Sequence, residues 1–484
     1  MNNNVLFKEE KMSKNNLLSQ EKINEQFLYI EKIREINHEH KLATNEDKKA
    51  FVLTFGCQQN EADSERLAGM AEDMGYIITD TPDNADLIIV NTCAIREHAE
   101  LKALSTVGQY KHLKNKKPSL VIAVCGCMVS QEHRVNDIKF KYPYINFIFG
   151  TSSIHKLPEL LYENITKKKR IYHPKENEYL VAEGLPVKRE SNYKAWLSVM
   201  YGCNNFCSYC IVPYVRGRER SRRKEDILDE FKKLVGDGYK DITLLGQNVN
   251  SYGKDNDDGC DFADLLRLLC KVEGDYKIHF MTSHPKDATN KLIDVIAEEE
   301  HMAKHFHLPM QSGSDRVLSA MNRRYDTKRY MSIVEYMRER IPDIAITSDI
   351  IVGFPGETEE EFEETITMLK KVEFDMIYSF IYSPRKGTPA AEMETQIPAD
   401  VKSKRFDRLL EVQNAISNKK NQPLKDKTVR VLCDGVSKNN DELYSGRTEQ
   451  SKIVFFEGDE TDVGKFINIK IDRADTFALY GKKI

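Results

Sequence analysis

Apolar residues along this chain gather in short continuous runs separated by stretches of helical spacing. Phe51-Val-Leu-Thr-Phe55, Asp86-Leu-Ile-Ile-Val90 and Leu120-Val-Ile-Ala-Val124 are three such runs, with helical patterns over residues 61–74 and 96–113 between them. Continuous apolar runs read as strands buried on both faces, and their alternation with helices predicts a doubly wound parallel α/β unit. Ahead of it, residues 1–48 scatter Leu17, Leu18, Ile23, Phe27, Ile30 and Ile33 among many charges. One amphipathic helix would fit that spacing, but the composition favours a charged, solvated, mobile extension. The first unit is therefore placed at 49–166. Residues 166–192 are polar and carry Pro174 and Pro186 as breakers, and 167–188 is assigned as a linker.

A longer alternation begins at Trp196. Strands are expected near 197–200, 242–245, 278–282, 305–308, 345–352 and 376–382. Helices are expected near 224–234, 262–271, 290–300, 316–340, 359–371 and 401–419. Six βα units over 189–421 suit a partial (βα)6 barrel, whose ligands sit at the carboxyl ends of the strands. From 422 to 484 the pattern changes to short strands alone, near 429–432, 453–456 and 466–471, which predicts a small antiparallel β-barrel of the OB-like kind. The fold class is thus α/β multidomain with a C-terminal all-β module.

Composition narrows the function. The chain has 484 residues, 40% hydrophobic and 31% charged, ordinary for a globular protein of several domains. No apolar run approaches the roughly 20 residues that cross a bilayer, and the first fifty residues lack the apolar core of a signal peptide. A cytoplasmic place is expected, with no membrane partner. The net charge of −4 gives no global attraction to nucleic acid, so RNA contact must come from local patches. Ten cysteines in such a chain argue for metal or redox duty rather than a disulfide framework.

The cysteines form two sets. Cys203-Asn-Asn-Phe-Cys207-Ser-Tyr-Cys210 spaces three thiols C-x3-C-x2-C directly after an apolar strand. Three thiolates can hold three corners of a 4Fe–4S cluster and leave the fourth iron open, which means chemistry rather than scaffolding. Cys57, Cys93 and Cys127 are distant in sequence, yet each falls just past one of the three apolar strands of the first unit. Parallel strands bring their carboxyl ends to one edge, which favours a shared metal site over three buried structural thiols. Cys125 sits one step out of phase, and Cys260, Cys270 and Cys433 have no partners at ligand spacing.

Around the first motif, Tyr209 offers a ring on which an adenine could stack or an apolar side chain could pack. The stretch Arg216-Gly-Arg218-Glu-Arg220-Ser-Arg222-Arg223-Lys224 is the densest run of basic residues, read either as a solvated face or as a phosphate or carboxylate contact. Polar residues recur where later strands end: Gln247 and Asn248, Ser283 and His284, Gln311 and Ser312, and Asp349 ahead of Gly353-Phe-Pro-Gly-Glu357. Together they predict one polar cavity above the cysteine motif.

The C-x3-C-x2-C motif, with an aromatic residue before its last cysteine, resembles the radical S-adenosylmethionine (SAM) superfamily. Thr54-Phe-Gly-Cys57-Gln-Gln-Asn60, Asn91-Thr-Cys93-Ala-Ile-Arg96 and Gly126-Cys127 are similar to the N-terminal domain of its methylthiotransferases. Tyr201-Gly-Cys203, Ile211-Val-Pro-Tyr-Val-Arg216, Leu245-Gly-Gln-Asn-Val-Asn-Ser-Tyr-Gly253, Ser348-Asp-Ile-Ile-Val-Gly-Phe-Pro-Gly-Glu-Thr358 and Tyr382-Ser-Pro-Arg-Lys-Gly-Thr388 extend the likeness from residue 49 to the C-terminal RNA-binding module called TRAM. The departures are Gln59, where methionine is common, and Cys125, where a small apolar residue is usual.

The resemblance implies a radical SAM methylthiotransferase with two 4Fe–4S clusters, one on Cys203, Cys207 and Cys210, and an auxiliary one on Cys57, Cys93 and Cys127. It implies SAM as cofactor, with Gly353 approaching its adenosine and Tyr209, Gln247, Gln311 and Asp349 as further candidate contacts. The implied partners are a tRNA bearing isopentenyladenosine at position 37, a low-potential electron donor such as flavodoxin or ferredoxin, and a sulfur donor. Sister branches act on threonylcarbamoyl-adenosine or on a ribosomal-protein aspartate; Asn248-Val-Asn-Ser-Tyr252 and Ser383-Pro-Arg-Lys-Gly387 favour the isopentenyladenosine branch. No side-chain acid or base removes a hydrogen from carbon 2 of adenine near neutral pH, so the hard chemistry belongs to the cofactors. Arg430, Lys452 and Arg473 are the candidate RNA contacts in the C-terminal module, where basic and acidic side chains balance.

Overall fold

The computed structural model describes residues 17–95, 97–176, 178–438 and 440–484. Its first unit is a six-stranded, wholly parallel sheet in the order Ile77–Ile78, Lys49–Thr54, Leu87–Thr92, Val121–Gly126, Phe147–Phe149, Ile171–His173. Leu87–Thr92 and Val121–Gly126 are buried at every position, as continuous apolar runs require. The register pairs Thr54 with Asn91 and Thr92 with Gly126, so the three central strands end level with one another.

Two expectations are corrected here. Within residues 1–48, expected to be a solvated extension, Gln20–Thr44 is one helix of 25 residues; the part of that expectation over 1–16 lies outside the described residues. Ser19 caps its first turn and Asn45, in the left-handed conformation, closes its last. Ile23, Gln26, Ile30, Ile33 and Asn37 form its buried stripe, and Ile30 and Ile33 join one apolar cluster with Met70, Met74, Leu157 and Leu161. Two positions of that stripe are polar, which hid the helix from a hydrophobic count. Both donate across the interface, Gln26 Nε2 to Glu159 Oε2 at 3.2 Å and Asn37 Nδ2 to the Met74 carbonyl at 2.9 Å, while their amide oxygens have no partner within the protein. The proposed linker at 167–188 also has structure. Ile171–His173 is the sixth strand, paired with Phe147–Phe149, and was missed because it is three residues long between a basic run and Pro174.

The central unit is a partial barrel of six parallel strands. Lys194–Ser198, Asp241–Leu245 and Lys277–Phe280 form one sheet, and His305–His307, Ala345–Val352 and Met376–Ile381 the other. The halves meet at Ile278, which bridges Met302 and accepts from Ala303 N at 3.0 Å. The expected helix over 316–340 divides into Asp315–Ala320 and Thr327–Arg340, with Asn322 left-handed at the break. The C-terminal unit is a closed barrel of five strands, Thr428–Ser437, Asn440–Thr448, Ile453–Phe456, Phe466–Ala474 and Leu479–Lys483. Asn440–Thr448 and Leu479–Lys483 went unforeseen because much of their side-chain pattern is polar or charged.

This last barrel is seated on the N-terminal ends of the central strands. Lys194 pairs with Asp434 at 2.6 Å, Lys277 with Glu449 at 2.8 Å, Arg430 with Asp275 at 2.6 Å and Lys452 with Asp375 at 2.8 Å. Tyr193 adds a hydrogen bond from its hydroxyl to the Asp434 carbonyl at 2.8 Å. Among the described residues no helix is long and apolar enough to cross a membrane.

The helix Gln20–Thr44 gives a direct test of its packing role. Ile33→Ala empties a fully buried position and is expected to lower stability by about 2–5 kcal/mol. Leu42→Ala, at a site 74% exposed, should change it by less than about 0.5 kcal/mol. Thermal or denaturant unfolding of the two variants makes the comparison.

Candidate metal centres at the junction of two domains

Cys57, Cys93 and Cys127 stand at the three level strand ends of the first sheet. Cys127 N donates to the Thr92 carbonyl at 2.8 Å, placing it beside the residue before Cys93. Gly56, with φ +139°, lets its loop approach so closely that an added Cβ would lie 2.7 Å from the Cys93 Cβ. Gly126, at φ +96°, is hemmed in the same way by the Thr92 carbonyl at 2.3 Å. Burial pushes the Cys127 thiol up to about 12; Arg216 opposes that rise, while Cys93 and Cys57 add to it. All three thiols therefore share one electrostatic environment. Cys125 packs instead in the apolar cluster containing Phe147 and Phe149, whereas Cys127 packs with Ala94, Ile211 and Val215.

Cys203, Cys207 and Cys210 occupy the loop between Met200–Tyr201 and the short helix Val212–Arg216, over a two-stranded ribbon formed with Arg220–Ser221. The loop is fixed by backbone bonds, Cys203 N to the Gly217 carbonyl at 3.1 Å and Cys210 N to the Cys207 carbonyl at 2.9 Å. Gly202 must be glycine, since its φ is +77° and a Cβ would fall 1.9 Å from the Arg218 carbonyl. Burial pushes the Cys203 thiol up to about 12, with Cys207 adding to the rise. Cys210 is raised too, first by burial and then by Cys207 and Cys203.

The donor chemistry of both sets fits iron–sulfur ligation. All ten cysteines are free thiols, and these six are soft donors gathered in water-poor corners; metal binding removes the proton that burial otherwise retains. Among the described residues no three His, Cys, Asp or Glu side chains draw together around one ion.

A polar chain joins the two sets. Arg216, at the end of the helix after Cys210, is 5% exposed and donates to Asp63 Oδ2 at 2.9 Å and Asn60 Oδ1 at 3.0 Å. Asn60 in turn donates to the Thr92 carbonyl at 2.9 Å, beside Cys93, and its Oδ1 lies 3.5 Å from Cys57 Sγ. Gln59 Nε2 donates to Ser198 Oγ at 2.9 Å, and Gln247 Nε2 to Gln59 Oε1 at 3.3 Å. Gln247 Oε1 accepts from Gly202 N, at the root of the Cys203 loop. The rest of the basic stretch is divided, with Arg220 and Arg222 buried and Arg218 and Arg223 exposed. Arg222 is buried and pairs with Glu183 at 2.6 Å and Glu230 at 2.8 Å, so it contacts this chain's own carboxylates.

Other expected site residues fall as follows. Tyr209 packs with Phe354 and Tyr382 in an apolar cluster beside the Cys203 loop. Gln311, in the left-handed conformation at φ 69°, donates its N–H to the Asp349 carbonyl at 2.8 Å, and its buried Oε1 has no partner within the protein. An orphaned acceptor of this kind fits a ligand donor. The Asp349 carboxylate lies 3.6 Å from His307 Nε2, and Gly353 N donates to Glu357 Oε2 at 2.8 Å. Arg430 and Lys452 direct their charge into the seam with the barrel, while Arg473 is 61% exposed and lies over the Tyr480 ring at 3.8 Å.

Sequence reasoning passed over Asn60, Asp63 and Arg323. Arg323 sits in the break between the two helices and donates to Cys207 Sγ at 3.4 Å and to the Pro309 carbonyl at 2.9 Å. Only the Arg-Arg pair in a stretch scored as helix pointed to it.

The comparisons with known proteins agree with this arrangement. Residues 197–369 match the Radical SAM superfamily, residues 49–150 the Uncharacterized protein family UPF0004 and residues 425–484 the TRAM domain. The chain is 50% identical over 468 residues to the tRNA-2-methylthio-N(6)-dimethylallyladenosine synthase of Acetivibrio thermocellus, covering 97% of this chain and 98% of that one. It is 50% identical over 456 residues to the enzyme of the same name from Caldicellulosiruptor saccharolyticus, covering 94% and 97%. Among solved structures, the radical S-adenosylmethionine methyltransferase TsrM from Kitasatospora setae shares the fold, with a TM-score of 0.53, 14% identity, and 71% and 77% coverage.

The buried Arg216–Asp63 pair yields a measurable expectation. Arg216→Met leaves Asp63 buried without its cation and should lower stability by about 3–5 kcal/mol. Adding Asp63→Leu should recover most of that loss. Equal unfolding midpoints for wild type and Arg216→Met would show that the pair does not hold the domains together.

Proposed function

We infer the reaction from one premise: the chain belongs to the tRNA-2-methylthio-N(6)-dimethylallyladenosine synthase family of radical SAM enzymes. It is a tRNA methylthiotransferase, converting N(6)-isopentenyladenosine to its 2-methylthio derivative with a 4Fe–4S cluster and SAM. The observation that carries the reading is identity of about half over nearly the whole chain, together with two cysteine triads joined by one buried polar chain.

In this reading Cys203, Cys207 and Cys210 hold the radical SAM cluster, and Cys57, Cys93 and Cys127 a second 4Fe–4S cluster. When bound, these groups supply an electron, a carbon-centred radical derived from SAM, and sulfur at the second centre. The chain's own residues have positioning work to do. The Gln311 Oε1 orphan would offer an acceptor to a donor group of SAM, and Gly353, at φ +73°, would let its strand end turn past the Lys402 side chain that packs against it. Tyr209, walled by Phe354 and Tyr382, offers an apolar face. Arg323, hydrogen-bonded to Cys207 Sγ, fixes the position of that sulfur. Gln247 holds Gly202 and hence the registration of the loop toward the first domain. The apolar contact of Ile211 and Val215 with Ala94 and Cys127 keeps water out of the junction.

The substrate is tRNA carrying the modified adenosine at position 37, with its base turned out to reach the site. Arg473 is the exposed one of the three RNA candidates. Flavodoxin or ferredoxin as electron donor, a separate sulfur donor and a cytoplasmic location complete the proposal. So does the division of the chain at 48, 166, 188 and 421, amended by the N-terminal helix and the sixth strand.

Two variants separate the roles of the cysteine sets. Cys203→Ala is expected to abolish formation of 5′-deoxyadenosine from SAM, while Cys57→Ala retains it and loses methylthiolation. Mass spectrometry of tRNA nucleosides from a deletion strain should show isopentenyladenosine accumulating as its methylthio derivative disappears. Loss of a methylthiolated threonylcarbamoyl derivative instead would overturn the substrate assignment.

A further inference from the structure

A cavity of about 650 Å³ lies between the inner face of the central barrel and the C-terminal barrel. Neither the six cysteines nor Tyr209, Gln247, Gln311, Asp349 and Gly353 line it. Strand register orders its walls into layers. Lys194, Asp241 and Lys277 form the layer next to the seam, and Trp196, Thr243 and His279 stand side by side in the layer above. One layer higher is Ser198, which accepts from Gln59. The opposite wall carries His305, Thr347 and Tyr378, with His305 Nε2 2.8 Å from Thr347 Oγ1. Gln58, the neighbour of Cys57, reaches the same space. The cavity therefore runs from the seam toward the cysteine junction.

Its lining is unusual for a barrel interior, which bulky aliphatic side chains ordinarily fill. Here the middle layers are aromatic or carry hydroxyl and imidazole groups. Burial holds His279 and His305 below their ordinary range, so both are uncharged near neutral pH and can donate or accept. Asp241 stands 3.7 Å from His279 and Lys194 and Lys277 face the same layer, but those lysines pair with Asp434 and Glu449. Arg430 and Lys452 pair likewise with Asp275 and Asp375. A phosphate would find these cations already neutralised. A neutral, flat heterocycle with hydrogen-bonding edges and an apolar arm matches the lining, and the volume is that of a small-molecule site.

We propose that this cavity seats the prenylated adenine of the tRNA, with Trp196 as the specificity-determining face against the prenyl-bearing ring and Thr243 and His279 as the hydrogen-bonding edge beside it. The assignment rests on the function inferred above and locates its substrate. The outer rim agrees: Val436 and Phe477 line the cavity and are 50% and 72% exposed, beside the exposed Arg447 and Lys438. Apolar surface interleaved with cations is what an unstacked RNA segment meets.

Trp196 is the single tryptophan of the chain, so its emission reports on this cavity alone. The full-length holoenzyme, its clusters reconstituted anaerobically, is titrated with an anticodon stem–loop RNA carrying isopentenyladenosine, and with the same RNA carrying adenosine. The prenylated RNA is expected to change the emission saturably and to bind at least tenfold more tightly. By filter binding, Trp196→Phe should retain that preference and Trp196→Ala should bring the two RNAs within about twofold. Should the alanine variant fail to fold, the wild-type emission decides. Unchanged emission on saturation, or equal affinity for the two RNAs, overturns the assignment. If cellular tRNA still depends on the gene for its methylthio group, the reaction stands and only its seat is wrong.

Discussion

One buried guanidinium sets the geometry on which both cysteine triads depend. Arg216 crosses from the central barrel into the first domain and ends between Asp63 and Asn60. A charge so placed must keep its partner, because an uncompensated buried ion costs several kcal/mol. The helix that carries it begins two residues after Cys210, so the Cys203 loop cannot drift from the first domain without exposing the pair. Asn60 carries the constraint onward by bonding the Thr92 carbonyl and the Asn91 side chain, which hold the strand end before Cys93. Gln59 adds a second link through Ser198 and Gln247, with directional bonds between the two walls.

The opposite end of the barrel is closed by other means. The C-terminal module has balanced charge, and much of that charge is engaged at the seam in pairs between lysine or arginine and carboxylates of the other unit. Pairs at a partly exposed seam contribute modestly each, so they orient the module more than they bind it. Arg430 and Lys452, chosen from sequence as RNA contacts, serve that seam. Exposed positive charge remains on Arg447, Lys438 and Arg473, around the mouth of the cavity and on the outer wall of the module.

How much of this was legible in sequence follows from what each element contributes to the pattern. The three central strands of the first sheet were readable because burial on both faces demands unbroken apolar runs, and Leu87–Thr92 has no exposed position, whereas Ile77–Ile78, Phe147–Phe149 and Ile171–His173 are too short to make such a run. The cysteine sets were readable because ligand spacing and strand ends are local properties. The helix Gln20–Thr44 was obscured because Gln26 and Asn37 share its buried stripe, and each donates to a partner more than thirty residues away. The same holds for Arg216, Arg222 and Arg323. Among the six basic residues between 216 and 224, Arg216 and Arg222 look like part of a solvated face until their carboxylates, supplied by Asp63, Glu183 and Glu230, are brought up by the fold. Arg323 lay inside a stretch read as helix, and only the left-handed turn at Asn322 swings it onto Cys207.

These constraints together explain why three units are needed. Chemistry that removes an unactivated hydrogen requires a space where water and stray hydrogen donors are excluded. A six-stranded partial barrel is open at its side and at its lower end. The first domain covers the upper junction, sealing it with Ala94 and Cys127 against Ile211 and Val215. The five-stranded barrel covers the lower end and leaves a mouth rimmed by Val436 and Phe477. Between the two covers the side-chain layers pass from ion pairs, through the Trp196 row, to the Gln59–Ser198 bond beside the cysteines. The order of those layers gives the chamber a direction, from the ion-paired seam below to the cysteine junction above, and neither cover alone would produce it.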